Sequence, residues 1–238
     1  MSILNISIKG KDPVYRNEWK HLITMSDMIA LRQRLSAVAR PDPHAVNGKY
    51  RIRSLYFDTP TDRALIEKID GVNIRDKFRL RCYDGDISRI NLEKKSKRDG
   101  VGYKQQAPLT AEETQRLLDG DTDWMKASRQ PLIVELYARM KSEGLRPKTI
   151  VEYDREPFVY PAGNVRVTLD YNIRTGLLCT DFLNPDPPMI PACDAGAPNI
   201  VLEVKWDAFL PSVIRDAVQL PFARTTAFSK YEICRWYI

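Results

Sequence analysis

Two short segments of the chain pair an acidic and a basic residue at the same spacing. Segments 91–95 (NLEKK) and 201–205 (VLEVK) each carry a Glu and a Lys two residues apart: Glu93 with Lys95, and Glu203 with Lys205. Residues two apart in a strand lie on one face of a sheet. Carboxylates bind hard divalent cations, and ammonium groups bind phosphate oxygens. The pattern therefore indicates strands whose polar face could hold a metal and a phosphorylated ligand.

The same alternation of charged and apolar residues recurs at 77–83 (KFRLRCY) and 165–171 (VRVTLDY). Buried charges need partners, which acid–base pairs in a wet tunnel would supply, and the basic excess would remain for an anion. The alternative is a sheet that exposes a charged face to water. On strand parity, the charged face comprises Arg16, Glu18, Lys20, Lys77, Arg79, Arg81, Glu93, Lys95, Lys104, Glu152, Asp154, Arg166, Asp170, Arg174, Glu203 and Lys205.

The composition is that of a soluble globular protein with a basic surface. The 238 residues carry a formal net charge of +6, which permits a polyanionic ligand without requiring one. The four cysteines show no CxxC spacing and the chain has two histidines, so histidine-based nucleophilic or zinc sites are poorly supported. No apolar run reaches the roughly 18 residues that a membrane span needs, and no signal peptide is evident. We expect a cytoplasmic protein without disulfides.

The periodicity predicts strands and helices in alternating groups. Strands are expected at 14–24, 50–58, 76–83, 89–96, 102–107, 149–160, 165–175 and 199–206. Helices are expected at 26–39, 61–69, 111–118, 131–143, 212–220 and 229–236, with Ser26 as one N-cap and a capping box at Thr110. The Pro-rich segment 184–198 is interpreted as an ordered loop or flap. This order predicts an α+β protein with one antiparallel sheet.

Eight motifs in order resemble the VTC domain, the polyphosphate polymerase branch of the triphosphate tunnel metalloenzymes in the CYTH-like superfamily. The resemblance spans about residues 13–237, and its strength comes from the order of the motifs, since none is specific alone. In chain order they are YRNEWK at 15–20, SLYFDT at 54–59, FRLR at 78–81, LEKK at 92–95, VEYDR at 151–155, VRVTLD at 165–170, LEVK at 202–205 and SKY at 229–231.

The resemblance implies a closed antiparallel eight-stranded β-barrel, a tunnel with a charged lumen and flanking helices, as a single domain over residues 1–238. It implies that Glu203 binds Mn²⁺ or Mg²⁺ and that Lys94 points away from the tunnel. Arg155 has the opposite parity to Glu152 and Asp154, so either a bulge near Pro157 intervenes or one set faces outward. The implied catalytic residues are Arg79, Arg81, Lys95, Glu203 and Lys230. The implied phosphate-binding residues are Lys20, Arg79, Arg81, Lys95, Lys104, Arg155, Arg166, Lys205, Ser229 and Lys230.

The implied activity is metal-dependent phosphoryl transfer, which builds polyphosphate from the γ-phosphate of ATP. A hydrolase with the same site, using water as the acceptor, is one alternative. A module that binds polyphosphate, nucleotide or inositol phosphate without turnover is another. The expected partners are ATP, polyphosphate or triphosphate, with a possible membrane-protein partner because the eukaryotic polymerase couples synthesis to translocation. Nucleic acid is not expected, since no base-stacking motif accompanies the basic strands.

Overall fold

The computed structural model describes residues 16–98, 101–194, 197–221 and 227–236. All eight predicted strands are present, and residues 14–15 of the first predicted strand lie outside the described residues. The long strands are β1 Asn17–Ile23, β2 Tyr50–Asp58, β3 Arg75–Tyr83, β4 Ile90–Arg98, β5 Val101–Leu109, β6 Arg146–Tyr160, β7 Val165–Thr175 and β8 Ile200–Trp206. Two-residue strands at Arg40–Pro41, Ile190–Pro191, Cys193–Asp194 and Ala197–Pro198 are minor additions.

All six predicted helices are also present, some shorter than predicted. They are α1 Met25–Val38, α2 Arg63–Ile69, α3 Ala111–Leu118, α4 Pro131–Glu143, α5 Ser212–Ala217 and α6 Lys230–Ile233. The N-cap of α1 is Thr24, in a capping box with Asp27, so the prediction of Ser26 was wrong by two residues. The capping box of α3, Thr110 with Glu113, is confirmed. No helix of the described residues has the length and apolar character needed to cross a membrane.

The eight long strands form one antiparallel sheet in the order β1-β8-β7-β6-β2-β3-β4-β5. Lys95 on β4 lies 3.9 Å from Glu18 on β1, although these strands are seventh and first in the sheet. The sheet is therefore curled. Within the described ranges no backbone ladder joins the edge strands β1 and β5. The predicted eight-stranded antiparallel fold is thus present as a curled sheet, and its predicted closure into a barrel is not confirmed by the residues that the structure describes.

Most of the helices cover the convex face of the sheet, where the apolar side chains lie. One core packs α3 and α4 against β3 and β4 through Leu117, Leu132 and Leu136. A second core packs α1 and α5 against β7 and β8 through Leu31, Leu35 and Ile214. The apolar side chains of the strands therefore face outward. The charged side chains of the same strands face the concave side of the sheet, here called the lumen.

Strand parity predicted the wrong face of the sheet for three charged residues. Glu152, Asp154 and Arg174 were predicted to face inward but belong to the opposite face, where Glu152 accepts hydrogen bonds from Arg53 and Arg174. A register shift places Asn172 and Ile173 of β7 opposite Tyr153 of β6, and the positive φ at Asn172 marks this bulge, which puts Arg174 on the opposite face from Asp170.

The alternation of β6 itself is regular, with Val151, Tyr153 and Arg155 on the lumen face, and its pairing with β7 does not shift near Pro157. Of the two alternatives, it is therefore the Glu152 and Asp154 set that faces outward.

The start of the Pro-rich segment is held from this convex side. The Arg53 guanidinium donates to the carbonyls of Asn184 and Pro185, the latter at 3.0 Å. The same guanidinium donates to Glu152 at 2.9 Å and is almost fully buried. This part of the segment is therefore an anchored loop.

Candidate functional site

The first cluster of lumen charges surrounds Glu93 on β4. Arg79 donates two hydrogen bonds to one oxygen of this carboxylate, at 2.8 and 2.6 Å, and Lys104 lies 2.9 Å from the other. Arg81 lies 3.7 Å away. Burial alone would raise the pKa of Glu93, but the charges of Arg79, Arg81 and Lys104 outweigh it and hold the pKa well below the usual range. Glu93 is therefore a fixed anion among three cations.

A second cluster surrounds Asp170 on β7, which is fully buried. Arg155 forms a two-pronged contact with both carboxylate oxygens, at 2.6 and 2.7 Å. Lys230, at the start of α6, lies 2.7 Å from the same carboxylate. Burial opposes ionisation of Asp170, yet the two cations lower its pKa below the usual value. The predicted Lys230 is thus brought into the lumen by the terminal helix.

A third cluster surrounds Glu203 on β8. Lys20 and Lys205 lie 3.1 and 3.5 Å from one carboxylate oxygen, and Arg155 lies 3.4 Å from the other, which joins this cluster to the second. Burial would raise the pKa of Glu203, but the charges of Lys205 and Lys20 hold it well below the usual range. For Lys20, burial acts to lower the pKa, and the acids Glu203 and Glu18 more than compensate, so the pKa is raised.

Lys95 is a cation of the lumen whose pKa is lowered. Its ammonium group lies 3.9 Å from Glu18, which also contacts Lys20 at 3.1 Å and Lys205 at 3.2 Å. The charge of Lys20, followed by desolvation and the charge of Lys205, lowers the pKa of Lys95 to about 7. About half of the Lys95 side chain remains accessible, because it faces the lumen instead of the core. Lys95 can therefore titrate near neutral pH.

The Tyr153 side chain connects the first and second clusters. Arg81 donates to the Tyr153 hydroxyl at 3.3 Å, and the cations of Arg155 and Lys230 lie 5.4 and 4.7 Å from the centre of the Tyr153 ring. Burial would raise the pKa of Tyr153, but the charges of Arg155 and Arg81 lower it. Tyr56 accepts a hydrogen bond from Arg79 at 2.9 Å. The connected set, called the lumen belt below, comprises Glu18, Lys20, Arg79, Arg81, Glu93, Lys95, Lys104, Tyr153, Arg155, Asp170, Glu203, Lys205 and Lys230.

Two predicted site residues lie outside the lumen belt. Arg166 is opposite Lys205 in the β7–β8 ladder, but its guanidinium contacts the Tyr50 hydroxyl and lies 3.3 Å from Asp42. Ser229 is the N-cap of α6, where its hydroxyl accepts from the Glu232 backbone at 3.4 Å. Lys94 faces the convex side, 2.5 Å from Glu135 of α4, as predicted.

The terminal helix is anchored to α2 by buried contacts. Asp58 accepts hydrogen bonds from the backbone N–H groups of Ala64 and Leu65 at the start of α2, and from the Tyr231 hydroxyl at 2.6 Å. Burial, followed by the charge of Asp58, raises the pKa of Tyr231 far above the usual value. Arg235 adds a contact to Asp62 at 2.9 Å. These contacts hold Lys230 beside Asp170.

The divalent cation that the sequence predicts would need carboxylate ligands in the lumen. Both oxygens of Glu203 are within 3.5 Å of cationic side chains, and no group of three acidic, His or Cys side chains converges in the part of the chain that the structure describes. A protein-only cage is therefore not formed by these residues. Mg²⁺ and Mn²⁺ commonly use one or two carboxylates together with substrate phosphates and waters, and Glu203 fits that arrangement.

Sequence reasoning assigned roles to the cations and to Glu203, but gave none to three other belt acids. Glu18, Glu93 and Asp170 each contact two or more of the predicted cations. Strand parity had already placed all three on the charged face. Strand parity predicted acids as partners of the cations, but not which acid contacts which cation, because that depends on how the strands face one another across the lumen.

The chain belongs to the VTC domain family, whose sequence profile matches residues 15–237. This membership supports a function related to polyphosphate or triphosphate. A comparison with curated proteins gave no significant match.

Solved structures resemble the chain distantly. A candidate adenylate cyclase from Bacillus halodurans is 12% identical with a TM-score of 0.48, covering 79% of this chain and 78% of that one. A candidate adenylate cyclase from Vibrio parahaemolyticus is 10% identical with a TM-score of 0.44, covering 86% and 83%.

Proposed function

We propose that the lumen belt binds the phosphoanhydride chain of ATP and polyphosphate, and that the protein transfers the γ-phosphoryl group of ATP to polyphosphate in a metal-dependent reaction. The observation that carries this proposal is the charge balance of the belt. Eight cationic side chains surround four carboxylates there, so a formal positive excess remains inside a largely buried site. A polyanion is the ligand that such an excess accommodates.

The roles follow from the contacts. Arg79 and Arg155 are held by carboxylates, and Arg81 donates to the hydroxyls of Ser54 and Tyr153, so these guanidinium groups are positioned before the ligand arrives. Lys95, Lys104 and Lys205 are a third to a half accessible and can turn towards phosphate oxygens. Charge neutralisation by these groups stabilises phosphoryl transfer. A cation held by Glu203 would supply further neutralisation when it is bound.

Hydrolysis is a second candidate, and the position of α6 favours it. The buried residues Tyr231 and Ile233 occupy part of the lumen, which leaves less room for a donor and an acceptor chain in line. A water molecule as the acceptor needs much less space than an acceptor chain. The same belt residues would then cleave triphosphate, with a water molecule taking the phosphoryl group.

One experiment separates these activities. Pure protein is incubated with ATP and Mn²⁺, and the products are resolved by gel for polyphosphate and by free-phosphate release. Polyphosphate on the gel supports polymerisation, phosphate release alone supports hydrolysis, and tight binding without turnover supports a binding module. Absence of both binding and turnover contradicts the proposal.

The matched variants are Arg79→Ala and Arg89→Ala. Both remove one arginine charge, but Arg79 is in the belt, whereas Arg89 is 86% exposed on a loop. We expect Arg79→Ala to weaken triphosphate binding by about 1.5–3 kcal/mol, the scale of a hydrogen bond to a charged group. Arg89→Ala should change triphosphate binding little. Equal losses would mean that the ligand responds to overall charge and not to the lumen.

A further inference from the structure

We infer that the protein recognises the base of its nucleotide as well as the phosphates: the Tyr83 ring stacks on adenine, and the Asn91 side-chain amide hydrogen-bonds the edge of that base. The inference rests on the proposed function, because it takes ATP as the nucleotide that the lumen belt binds. It adds the residues of this chain that distinguish ATP from tripolyphosphate and from other nucleotides.

The first step is an accessible aromatic ring beside the arginines of β3. Tyr83 is 38% exposed and lies two residues beyond Arg81 on the same strand. Residues two apart in a strand share a face and are separated by about 7 Å. The ribose of a nucleotide bridges a gap of that size between the base and the first phosphate. An adenine stacked on Tyr83 would therefore place its α-phosphate beside Arg81.

The second step is that neighbouring side chains hold this ring in place. Tyr83 makes an edge-to-face contact with Tyr50, with ring centres 5.5 Å apart. Tyr50 is buried, and its hydroxyl accepts a hydrogen bond from Arg166, whose guanidinium lies 3.3 Å from buried Asp42. Arg166, which lies outside the lumen belt, therefore supports the tyrosine pair. A ring positioned in advance loses little conformational freedom when a base stacks on it.

The third step is an available amide next to the same arginine. Asn91 of β4 is opposite Arg81 in the β3–β4 ladder and lies two residues from Glu93, so it is on the lumen face. Its half-buried side chain makes no hydrogen bond to the residues that the structure describes. Tyr83 is the diagonal neighbour of Asn91, and such pairs lie about 7–8 Å apart, within reach of aromatic and long side chains. An asparagine amide presents a donor and an acceptor side by side, which match N7 and the N6 amino group of adenine.

The fourth step is the order of the lumen-facing residues along β3. Tyr83 is followed, at every second position, by Arg81, Arg79 and Lys77, so one ring precedes three cations. This order matches one base followed by a chain of phosphates, as in a nucleoside triphosphate. Proteins that bind single-stranded nucleic acid instead stack successive bases on several aromatic rings along a basic groove. The arrangement on β3 therefore favours a mononucleotide.

The test compares ATP with tripolyphosphate, which carries three phosphates but no base. Affinities are measured by calorimetry in metal-free buffer for the native protein, Tyr83→Ala, Tyr83→Phe and Asn91→Leu. Inosine triphosphate, which has a carbonyl in place of the N6 amino group, is the third ligand. The matched control is Tyr103→Ala, because Tyr103 is a half-buried tyrosine on β5 whose neighbour Lys104 faces the lumen, so Tyr103 faces the opposite side.

We expect Tyr83→Ala to weaken ATP binding at least about fivefold, the lower end of the range for a base stacked on an aromatic ring, and to leave tripolyphosphate binding unchanged. Tyr83→Phe keeps the ring and should bind ATP like the native protein. The native protein should bind ATP more tightly than inosine triphosphate, and Asn91→Leu should bind the two nucleotides equally. Tyr103→Ala should change none of these affinities.

Equal losses of ATP and tripolyphosphate affinity in Tyr83→Ala would mean that Tyr83 supports the lumen and contacts no base. That result, or an unchanged ATP affinity in this variant, would overturn the inference and leave the proposed function intact. Equal binding of ATP and inosine triphosphate by the native protein would overturn the role of Asn91. A native protein that binds neither ATP nor tripolyphosphate would overturn the proposed function and this inference with it.

Discussion

At the scale of single residues, the lumen belt consists of carboxylates that each contact two or three cations. Glu93 contacts Arg79 and Lys104, and Glu203 contacts Lys20, Lys205 and Arg155. Desolvating isolated charges costs several kcal/mol, so these acids are what allows the cations to be buried without ligand. The same acids compete with an incoming phosphate for the cations. The affinity for a polyanion therefore depends on how much stronger the contacts of these cations with phosphate are than their contacts with the acids.

Glu203→Gln should separate metal binding from phosphate binding. The amide keeps the size of the side chain but removes the charge that a hard cation needs, so we expect metal-dependent turnover to fall at least tenfold. In EDTA, tripolyphosphate should bind more tightly, because Lys20 and Lys205 lose a competing anion. Calorimetry and a Mn²⁺ titration of activity provide the measurements.

The control for this variant is Glu112→Gln, since Glu112 is exposed in the first turn of α3. This control substitution should change neither metal-dependent turnover nor tripolyphosphate affinity. Full activity of Glu203→Gln across the metal titration would exclude Glu203 as a necessary ligand.

Lys95 should make polyanion binding depend on pH. Its pKa is lowered to about 7 by Lys20 and by desolvation, and a bound phosphate must raise it again. Binding therefore takes up a proton, and affinity should increase as pH falls towards about 7, with little further gain from Lys95 below that. We expect a loss of about tenfold well above pH 7, within the range of a charged hydrogen bond.

Phosphate groups also titrate, so the informative quantity is the difference between two profiles. Tripolyphosphate affinity is measured against pH for the native protein and for Lys95→Met. Parallel profiles would show that Lys95 does not titrate in this range.

At the scale of elements, α2 and α6 act as one unit although they are distant in sequence. Asp58 lies just before α2 and accepts both from the start of that helix and from Tyr231 of α6. Together with the contacts of Lys68 with Glu232 and of Arg235 with Asp62, this carboxylate holds the helix that places Lys230 beside Asp170. The terminal segment is short, so its position depends on these contacts more than on intrinsic helix stability.

Tyr231→Phe should show how far the position of α6 depends on its contact with Asp58. The ring keeps its stacking on Tyr56, but the hydrogen bond to buried Asp58 is lost, so unfolding free energy should fall by about 1.5–3 kcal/mol. Tripolyphosphate affinity should fall in parallel as Lys230 becomes less well positioned. Denaturant titrations and calorimetry test both effects.

Tyr160→Phe provides the comparison, because Tyr160 packs against the convex core away from the lumen. It should leave tripolyphosphate affinity unchanged. If Tyr231→Phe were also neutral for binding, α6 would have no part in positioning the site.

At the scale of the whole molecule, the lumen belt draws on nearly every strand of the curled sheet. Its members come from β1, β3, β4, β5, β6, β7 and β8, with Lys230 added from α6. A ligand that contacts the belt therefore links the two halves of the sheet across the gap between β1 and β5. Ligand binding and global stability should be coupled.

Tripolyphosphate should raise the thermal unfolding midpoint of the native protein. At a ligand concentration about 100 times Kd, the stabilisation expected from mass action is about 2.7 kcal/mol. Added NaCl should reduce the shift, but less steeply than for an exposed cluster, because buried pairs are screened less. Scanning calorimetry at several salt concentrations measures this, and a steep loss of the shift by 0.15 M would place the ligand on the open surface instead.

The sequence by itself determined the strands, most helices and the charged face, because side-chain direction in a strand and helix capping are local properties. Arg79, Arg81, Glu93, Glu203 and the Thr110 capping box are examples that needed nothing beyond neighbouring residues. The tertiary structure alone decided the rest. A bulge at Asn172 in β7 turned Arg174 outward, and the contact between Asp58 and Tyr231 spans 173 positions. Which acid meets which cation, and how far α6 fills the lumen, depend on the curl of the sheet. Local periodicity does not encode that curl, because it arises from the packing of all eight strands.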